Sequence, residues 1–387
     1  MTQYTMHSNY RSYIGLDVHA RTVSASGIDL VTGEIKKKRF NDCPGAAEIA
    51  KWIQSNFDAP WHAAYESGCT GFYLARELGR AGIPCDVIAV SSIARSDDDK
   101  KRKSDKTDAK RLLQEMVTPA SSLKRVWMPD DECEGMRDIA RAYDDGVSAL
   151  KSLKQQRSAL LLRHGYVWNE RTPGGNLKKT GGCDYERWLR QIRLPSIGAT
   201  EAFSYYCSAI QEAQDRMGHL GKAIAAHAEE GRYKPFVDAL CCLKSVSVPA
   251  AFLYTVEFGT FFRFKAPGAV ANYFGMTPKS SASGVVTDDN GHITKAGNGQ
   301  VRHALVEGLQ CVGNRNGLPK KLKAGQAVSD AVRAHCECAN RRIASRYKHL
   351  CAEKKLPNVI KVALANELIR FVWSVGMMVE REQGLIA

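Results

Sequence analysis

The sequence has little that would carry the chain into or across a membrane. No uninterrupted apolar run reaches the roughly 18 residues that span a bilayer. The N-terminal stretch MTQYTMHSNYRSY lacks the apolar core of a signal peptide. The 12 cysteines are spread irregularly over 387 residues, which favours reduced thiols over a disulfide scaffold. We therefore expect a cytoplasmic protein with no membrane partner.

The paired C-x-x-C spacing of a zinc site is also missing. The closest groupings are Cys241 with Cys242, and His335 with Cys336 and Cys338. Neither has the ligand spacing of a structural zinc site, so no such metal is expected there.

Positive charge, by contrast, is abundant. The formal net charge is +14, and 44% of the residues are hydrophobic, enough for two or three domains with buried cores. Lysines and arginines that neutralise phosphates release condensed counterions, so this charge favours a polyanionic partner. Nucleic acid is the leading candidate, and an acidic membrane surface is the rival.

Hydrophobic periodicity predicts a mixed α/β sheet in the first part of the chain. SYIGLDVHARTVSASGIDLVTGEIKKKRF alternates apolar and polar residues around a turn at 31–34, which is typical of antiparallel strands. Helical and strand-like segments then alternate up to CDVIAV, and RKSDKTDAKRLLQEM follows as a helix or the loop leading into it.

The rest of the sequence is predicted to be mainly helical. Two long helical stretches, at about 131–165 and 199–230, flank an insertion that contains RTPGGNLKKTGGCDY. This arrangement favours an antiparallel hairpin or coiled coil. From about Tyr233 onward, short helices precede the loop GMTPKSSASGVVTDDNGHITKAGNG and the terminal helices.

Four carboxylates are the candidates for chemistry. Asp17 interrupts the apolar strand IGLDV, Glu66 ends AAYES, and Asp105 and Asp108 are three residues apart in a basic run. On a helix that spacing puts both aspartates on one face. Carboxylates from separate elements can hold magnesium at a phosphodiester. The plainer interpretations are a capping Asp17, a surface Glu66, and helix aspartates paired with neighbouring bases.

Sugar kinases and actin-like ATPases also open with an apolar strand that ends in Asp. They follow it with glycines that admit nucleotide phosphates. Here VHARTV follows Asp17 and contains no glycine, which argues against an ATPase.

In order, IGLDV, YESGCTGFY, KSDKTDAKRL, GMTPKSSASG and ITKAGNGQVRHALVEG resemble the DEDD transposases of bacterial insertion sequences, the family numbered one hundred and ten. The resemblance covers nearly the whole chain. It implies an α/β RNase H-like (RuvC-like) domain at 1–125, a coiled-coil helical hairpin with an insertion at 126–232, and a mainly α-helical transposase domain at 233–387.

The same resemblance implies that Asp17, Glu66, Asp105 and Asp108 form a tetrad for Mg²⁺ (or Mn²⁺). It also implies a catalytic serine five positions after the proline of the Gly-x-x-Pro turn. Counting from Pro278 gives Ser283, with Ser281 as the fallback. Without the resemblance, a flexible serine-glycine surface loop is the plainer interpretation.

The resemblance further implies RNA-guided recombination. A noncoding bridge RNA would pair with donor and target DNA, and a homo-oligomer, dimer or tetramer, would act in the nucleoid-associated cytoplasm of a bacterium. Ser283 would form a covalent phosphoserine intermediate. The candidate phosphate contacts are Lys101, Arg102, Lys103, Lys295 and Arg302.

Two alternatives remain open: a metal-dependent nuclease or Holliday-junction-type resolvase without a covalent step, and a non-catalytic nucleic-acid-binding protein. The sequence also departs from the family pattern. LKSVSVPAAF stands where the family has an Ile-Pro-Gly-Ile-Gly type hairpin, which puts a DNA contact by that turn in doubt.

Overall fold

A computed structural model describes residues 10–93, 105–118, 123–279, 282–283, 286–287, 292–314 and 325–385. The chain divides into two compact units, one ending at Asp130 and the other beginning at Asp131. The side chains of Asp105 and Ser283 lie outside the described part of the chain, although their backbone is within it.

The first unit is built on a five-stranded mixed sheet. Its order is β3-β2-β1-β4-β5, with β1–β2 and β2–β3 antiparallel and β1–β4 and β4–β5 parallel. The predicted α/β fold of the RNase H-like type is confirmed. The strands are β1 Ser12–Val18, β2 Val23–Asp29, β3 Ile35–Phe40, β4 Trp61–Glu66 and β5 Cys85–Ile88.

Strand alternation sends the apolar residues of β1 to opposite faces of the sheet. Ile14 and Leu16 join the hydrophobic cluster that includes residues of helices α1 Ala46–Asn56 and α2 Tyr73–Arg80. Tyr13 joins a second cluster on the other face. This second face lies against helix α3 Asp105–Val117.

Helix α3 approaches β1 closely at Gly15. A Cβ placed on Gly15 would lie 2.5 Å from the carbonyl oxygen of Ala109 and 2.8 Å from the amide nitrogen of Leu113. The absence of a side chain at Gly15 therefore allows the helix backbone to rest on the strand. Leu112, Leu113 and Met116 fill the adjoining core.

The second unit begins with two long helices, α4 Asp131–Arg163 and α6 Ile197–Glu229, which are antiparallel. A Cβ on Gly146 would meet the Met217 sulfur at 2.3 Å, whereas Arg157, later in α4, lies 3.8 Å from Cys207, earlier in α6. This geometry gives a helical hairpin, and a coiled-coil supertwist stays a prediction. Between the two helices the insertion contains α5 Cys183–Gln191.

The remaining helices of the second unit contribute to its larger core. They are α7 Lys234–Leu240, α8 Val248–Phe258, α9 Pro267–Tyr273, α10 Gly299–Gly308, α11 Asp330–Ala352 and α12 Pro357–Glu382. Strands β6 Ala282–Ser283 and β7 Val286–Thr287 form a separate two-stranded antiparallel sheet. The mainly helical character predicted for this region is confirmed.

Among the described residues, helix α12 is long and apolar enough to span a membrane by length and composition. Its apolar side is the centre of the core of the second unit: Leu364, Leu368, Val372 and Val375 are all fully buried. The helix therefore reads as the core helix of a globular unit.

Candidate active site

Asp17 and Glu66 lie beside each other at the carboxyl ends of two parallel strands. The strand register pairs Leu16 of β1 with Tyr65 of β4, and each carboxylate is the next residue along its strand. Alternation puts Asp17 on the same face as Tyr13, and Glu66 on the same face as Ala64, which is the face covered by α3. Both side chains are mostly buried, at 15% and 25% exposure.

Helix α3 carries Asp108 toward this edge of the sheet. Asp108 directly precedes Ala109, the residue whose carbonyl rests on Gly15. Its Oδ1 accepts a hydrogen bond from Nη2 of Arg111 at 2.9 Å. The same Nη2 lies 3.9 Å from Oε1 of Glu66. Arg111 thus links a carboxylate of the helix to a carboxylate of the strand. The backbone of Asp105 begins α3.

A histidine accompanies the first acid. Nε2 of His19, one residue beyond the end of β1, lies 3.1 Å from Oδ2 of Asp17. The ring is 48% exposed, so this contact faces the rim of the site. It fixes the direction in which one oxygen of Asp17 points.

The donor chemistry of the site fits a hard divalent cation, because carboxylate oxygens from separate elements are the ligands that magnesium takes. Among the described side chains, no three His, Cys, Asp or Glu residues are close enough to hold a metal ion together. Asp108 is instead engaged by Arg111. Asp17, Glu66 and Asp108 are the described carboxylates of this site that could supply oxygen ligands, and the backbone of Asp105 lies three residues before Asp108 on α3.

The serine loop is in the second unit, and its base is well defined. Lys279 N donates to His292 O at 2.8 Å, Thr294 N to Thr277 O at 2.9 Å, and Lys295 N to Gly275 O at 3.1 Å.

Further along the loop, Ser283 of β6 pairs with Val286 of β7. The predicted serine is therefore carried on a short hairpin, and its fallback Ser281 lies outside the described residues.

Two glycines close the base of the loop. Gly275 and Gly297 both have positive φ, at 66° and 69°. A Cβ at Gly275 would lie 2.2 Å from Ala296 O, and one at Gly297 would lie 2.2 Å from Tyr273 O. Only glycine combines this backbone conformation with such a close approach.

Arg302, a predicted phosphate contact, hydrogen-bonds to the backbone at the base of this loop. Its Nη1 donates to the carbonyl oxygens of Phe274 at 3.2 Å, Ala296 at 2.7 Å and Gly297 at 3.1 Å. Burial lowers the pKa of its guanidinium from the ordinary value. Lys295 is exposed. Lys101, Arg102 and Lys103 lie outside the described residues.

Comparison with known proteins identifies the family. Residues 14–165 match the model of a DEDD-type transposase, and residues 243–323 match the model described as Transposase IS116/IS110/IS902 family. A putative transposase, y4qE of Sinorhizobium fredii, is 31% identical over 383 residues, which cover 95% of this chain and 90% of the relative. The chain belongs to the IS110 family of transposases.

Two further relatives are also named as transposases. The transposase for insertion sequence element IS1533 of Leptospira borgpetersenii is 27% identical over 64% of this chain and 70% of its own length. A probable family 20 transposase of Pseudomonas aeruginosa is 22% identical over 94% and 96%. As an IS110-family transposase, the protein is a DNA strand-transfer enzyme and binds DNA, and its DEDD domain implies use of a divalent metal.

The turn that departs from the family pattern is held by the protein itself. Lys244 N donates to Oδ1 of Asn340 at 2.8 Å, and the Ser247 side chain caps α8 by accepting from Ala250 N at 3.5 Å. A Cβ on Gly308 would lie 2.1 Å from Ser245 O, so α10 packs directly on this turn. These contacts give the turn a structural role without the family glycines.

Sequence reasoning missed three residues of this candidate site. Gly15 and Arg111 act through a helix–strand contact that no local pattern reveals, and His19 had a signal only in its spacing of two from Asp17. That spacing becomes informative once Val18 is known to end the strand.

Proposed function

We propose that this transposase cuts and rejoins DNA with a metal held by Asp17, Glu66, Asp105 and Asp108. The observation that carries the proposal is the side-by-side position of Asp17 and Glu66 on the face that α3 covers, with Asp108 linked to Glu66 through Arg111. Carboxylates at mostly buried strand ends are unfavourable unless they are paired or bind a cation.

We further propose that Ser283 is the nucleophile. Its Oγ loses its proton and forms a bond to the scissile phosphorus as the bond to one DNA oxygen breaks, and that oxygen takes up a proton and leaves as a DNA hydroxyl. A second DNA hydroxyl then loses its proton and forms the new phosphodiester, and the serine oxygen leaves and takes up a proton, so the number of phosphoester bonds is conserved. Mg²⁺ or Mn²⁺, when bound by these carboxylates, would supply Lewis-acid stabilisation of the charge on the phosphoryl oxygens.

The rigid base of the serine loop supports this role. Gly275, Gly297 and Arg302 hold the two ends of the loop together. A nucleophile must be held close to its attack geometry, and a fixed anchor serves that need even when the loop is long.

We propose that a noncoding RNA selects donor and target DNA and that the active species in the bacterial cytoplasm is a homo-oligomer. In it, the serine of one subunit acts with the tetrad of another. The net charge of +14 supports contact with more than one nucleic-acid strand. Base pairing would select sequence, while the protein contacts backbone and shape.

Sequencing of the RNA that co-purifies with the full chain tests the guide. One structured species encoded beside the gene, with loops complementary to flanking DNA, is the expected result. Random host fragments, or no RNA, would contradict RNA guidance and would leave general polyanion binding as the explanation of the charge.

Denaturing gels of protein with labelled donor DNA test the chemistry. Ser283→Ala should abolish a covalent protein–DNA species, whereas Ser281→Ala, the matched control, should retain it. Asp17→Asn should lose cleavage. Full strand transfer by Ser283→Ala would exclude the covalent serine and favour a resolvase-type mechanism, and unchanged DNA processing by Asp17→Asn would rule out the tetrad.

A further inference from the structure

We propose that Arg111 is a positioning residue that occupies the cation position of the acidic site until a divalent metal binds, and that it competes with that metal for Asp108 and Glu66. The inference rests on the proposed function, because it assumes that these carboxylates bind metal. It adds Arg111 to the residues of the proposed site, as the residue that sets the affinity for the metal and must be displaced when the metal binds.

The geometry distinguishes Arg111 from an ordinary surface ion pair. Arg80 and Glu77 also form a helical pair three residues apart, but the Arg80 side chain is 62% exposed. The Arg111 side chain is only 14% exposed. Besides Asp108 on its own helix, it reaches Glu66 on β4, at 3.9 Å.

The partners of Arg111 explain why a cation is needed there. Asp108 and Glu66 are both at least three-quarters buried, at 22% and 25% exposure. Carboxylates gathered at one site repel each other, and burial strengthens the repulsion. A guanidinium between them relieves it and holds α3 against the end of β4. A divalent cation would relieve the same repulsion, so the two cations compete for the same oxygens.

Competition between Arg111 and the metal predicts the direction in which metal affinity changes when Arg111 is replaced. Removal of the Arg111 charge should make the site more negative and should increase its affinity for a divalent cation. If Arg111 were only packing α3 against the sheet, its removal would loosen the carboxylates and weaken metal binding. The two roles therefore predict opposite changes in the same dissociation constant.

The experiment is a Mn²⁺ titration of the full chain without nucleic acid, with free Mn²⁺ followed by electron paramagnetic resonance. Arg111→Met should bind Mn²⁺ about tenfold more tightly than the wild type. Arg111→Lys, which restores a positive charge, should return toward the wild-type value. Lys110→Met is the matched control, because it removes the same charge from an exposed neighbouring position of α3 and should change the affinity less than about twofold.

Arg111→Gln provides the same test if the methionine variant does not fold, since it removes the charge but keeps hydrogen-bond donors. Equal or weaker Mn²⁺ binding by these neutral variants, or no site in either, would overturn the role of Arg111. Glu66→Gln and Asp108→Asn report separately on the proposed function. If both bind Mn²⁺ like the wild type, the acidic site fails; if both bind weakly while Arg111→Met shows no gain, only this inference fails.

Discussion

Gly15 determines how close the helix that carries Asp108 can lie to the strand that carries Asp17. We expect Gly15→Ala to lower the free energy of unfolding by about 1–3 kcal/mol, because its Cβ would overlap backbone atoms of Ala109 and Leu113, which cannot move independently of α3. Urea unfolding measures the change. The same displacement of α3 should weaken Mn²⁺ binding.

Gly79→Ala is the control for Gly15→Ala. A Cβ at Gly79 of α2 meets nothing within 4 Å, so helix propensity alone should make that variant neutral or slightly more stable. If both variants were equally stable, the close approach at Gly15 would not be limiting in solution.

Asp29, at the end of β2, should make the stability of the folded protein depend on pH. Burial raises the pKa of Asp29. Hydrogen bonds from the N–H groups of Val31 and Thr32, together with the charge and hydrogen bond of Arg11, have the larger combined effect and bring the pKa below the ordinary value of 3.8. The stability it contributes is therefore complete above that value and is lost as the pH falls through the lower folded-state pKa.

The measurement is the difference in melting temperature between the wild type and Asp29→Asn. The wild type should be the more stable by a constant margin above about pH 5, and the margin should shrink as the pH falls below 3.8. A margin that stayed constant down to pH 2 or grew on acidification would contradict the assigned contacts. The pH 2 limit is about two units below an ordinary aspartate.

The sequence predicted whole strands and helices wherever one hydrophobic periodicity continued through the segment. The alternation in SYIGLDV identifies β1 and the face of Asp17, and the helical period of ATEAFSYYCSAIQEAQDRM identifies α6. The partners of those elements were not predictable, because strand order and helix docking depend on contacts between distant parts of the chain. Arg111 illustrates the limit, since its partner Glu66 is 45 positions away in sequence.

The insertion between α4 and α6 shows a second limit. Its glycines and lysines indicate a break, yet residues 183–191 form α5, and Trp168, Tyr185 and Trp188 pack their rings together with centroids 5.3–5.5 Å apart. A nine-residue helix gives too short a periodic signal to stand out from such a composition. The aromatic residues were the available sign of a small core.

The base of the serine loop should be sensitive to single methyl groups. Gly275→Ala should lower stability by at least about 1–3 kcal/mol, because alanine is strained at positive φ and its Cβ would overlap Ala296. Covalent capture of DNA should fall with it. Gly268→Ala in α9, where a Cβ meets nothing within 4 Å, is the matched control. Normal DNA capture by Gly275→Ala would show that the anchor is dispensable.

For the whole molecule, the net charge of +14 determines how nucleic acid is held. Each phosphate neutralised by lysine or arginine releases counterions, so the affinity should fall steeply with salt. With about six phosphate contacts, the dissociation constant for duplex DNA should rise about 10³-fold between roughly 50 and 200 mM salt. Fluorescence anisotropy on a labelled duplex gives the slope, and affinity independent of salt would exclude the phosphate contacts proposed for this transposase.

Two variants distinguish basic residues that contact phosphate, and so contribute to the salt dependence, from basic residues that stabilise the fold. Lys295 is exposed, so Lys295→Met should reduce the salt slope by about one and leave the melting temperature unchanged. Arg302 donates to three carbonyls of the loop base, so Arg302→Met should lower the melting temperature whatever its effect on the slope. A stable Arg302→Met protein with a reduced slope would instead make Arg302 primarily a phosphate contact. The comparison thus separates the charge that binds nucleic acid from the charge that holds the serine loop.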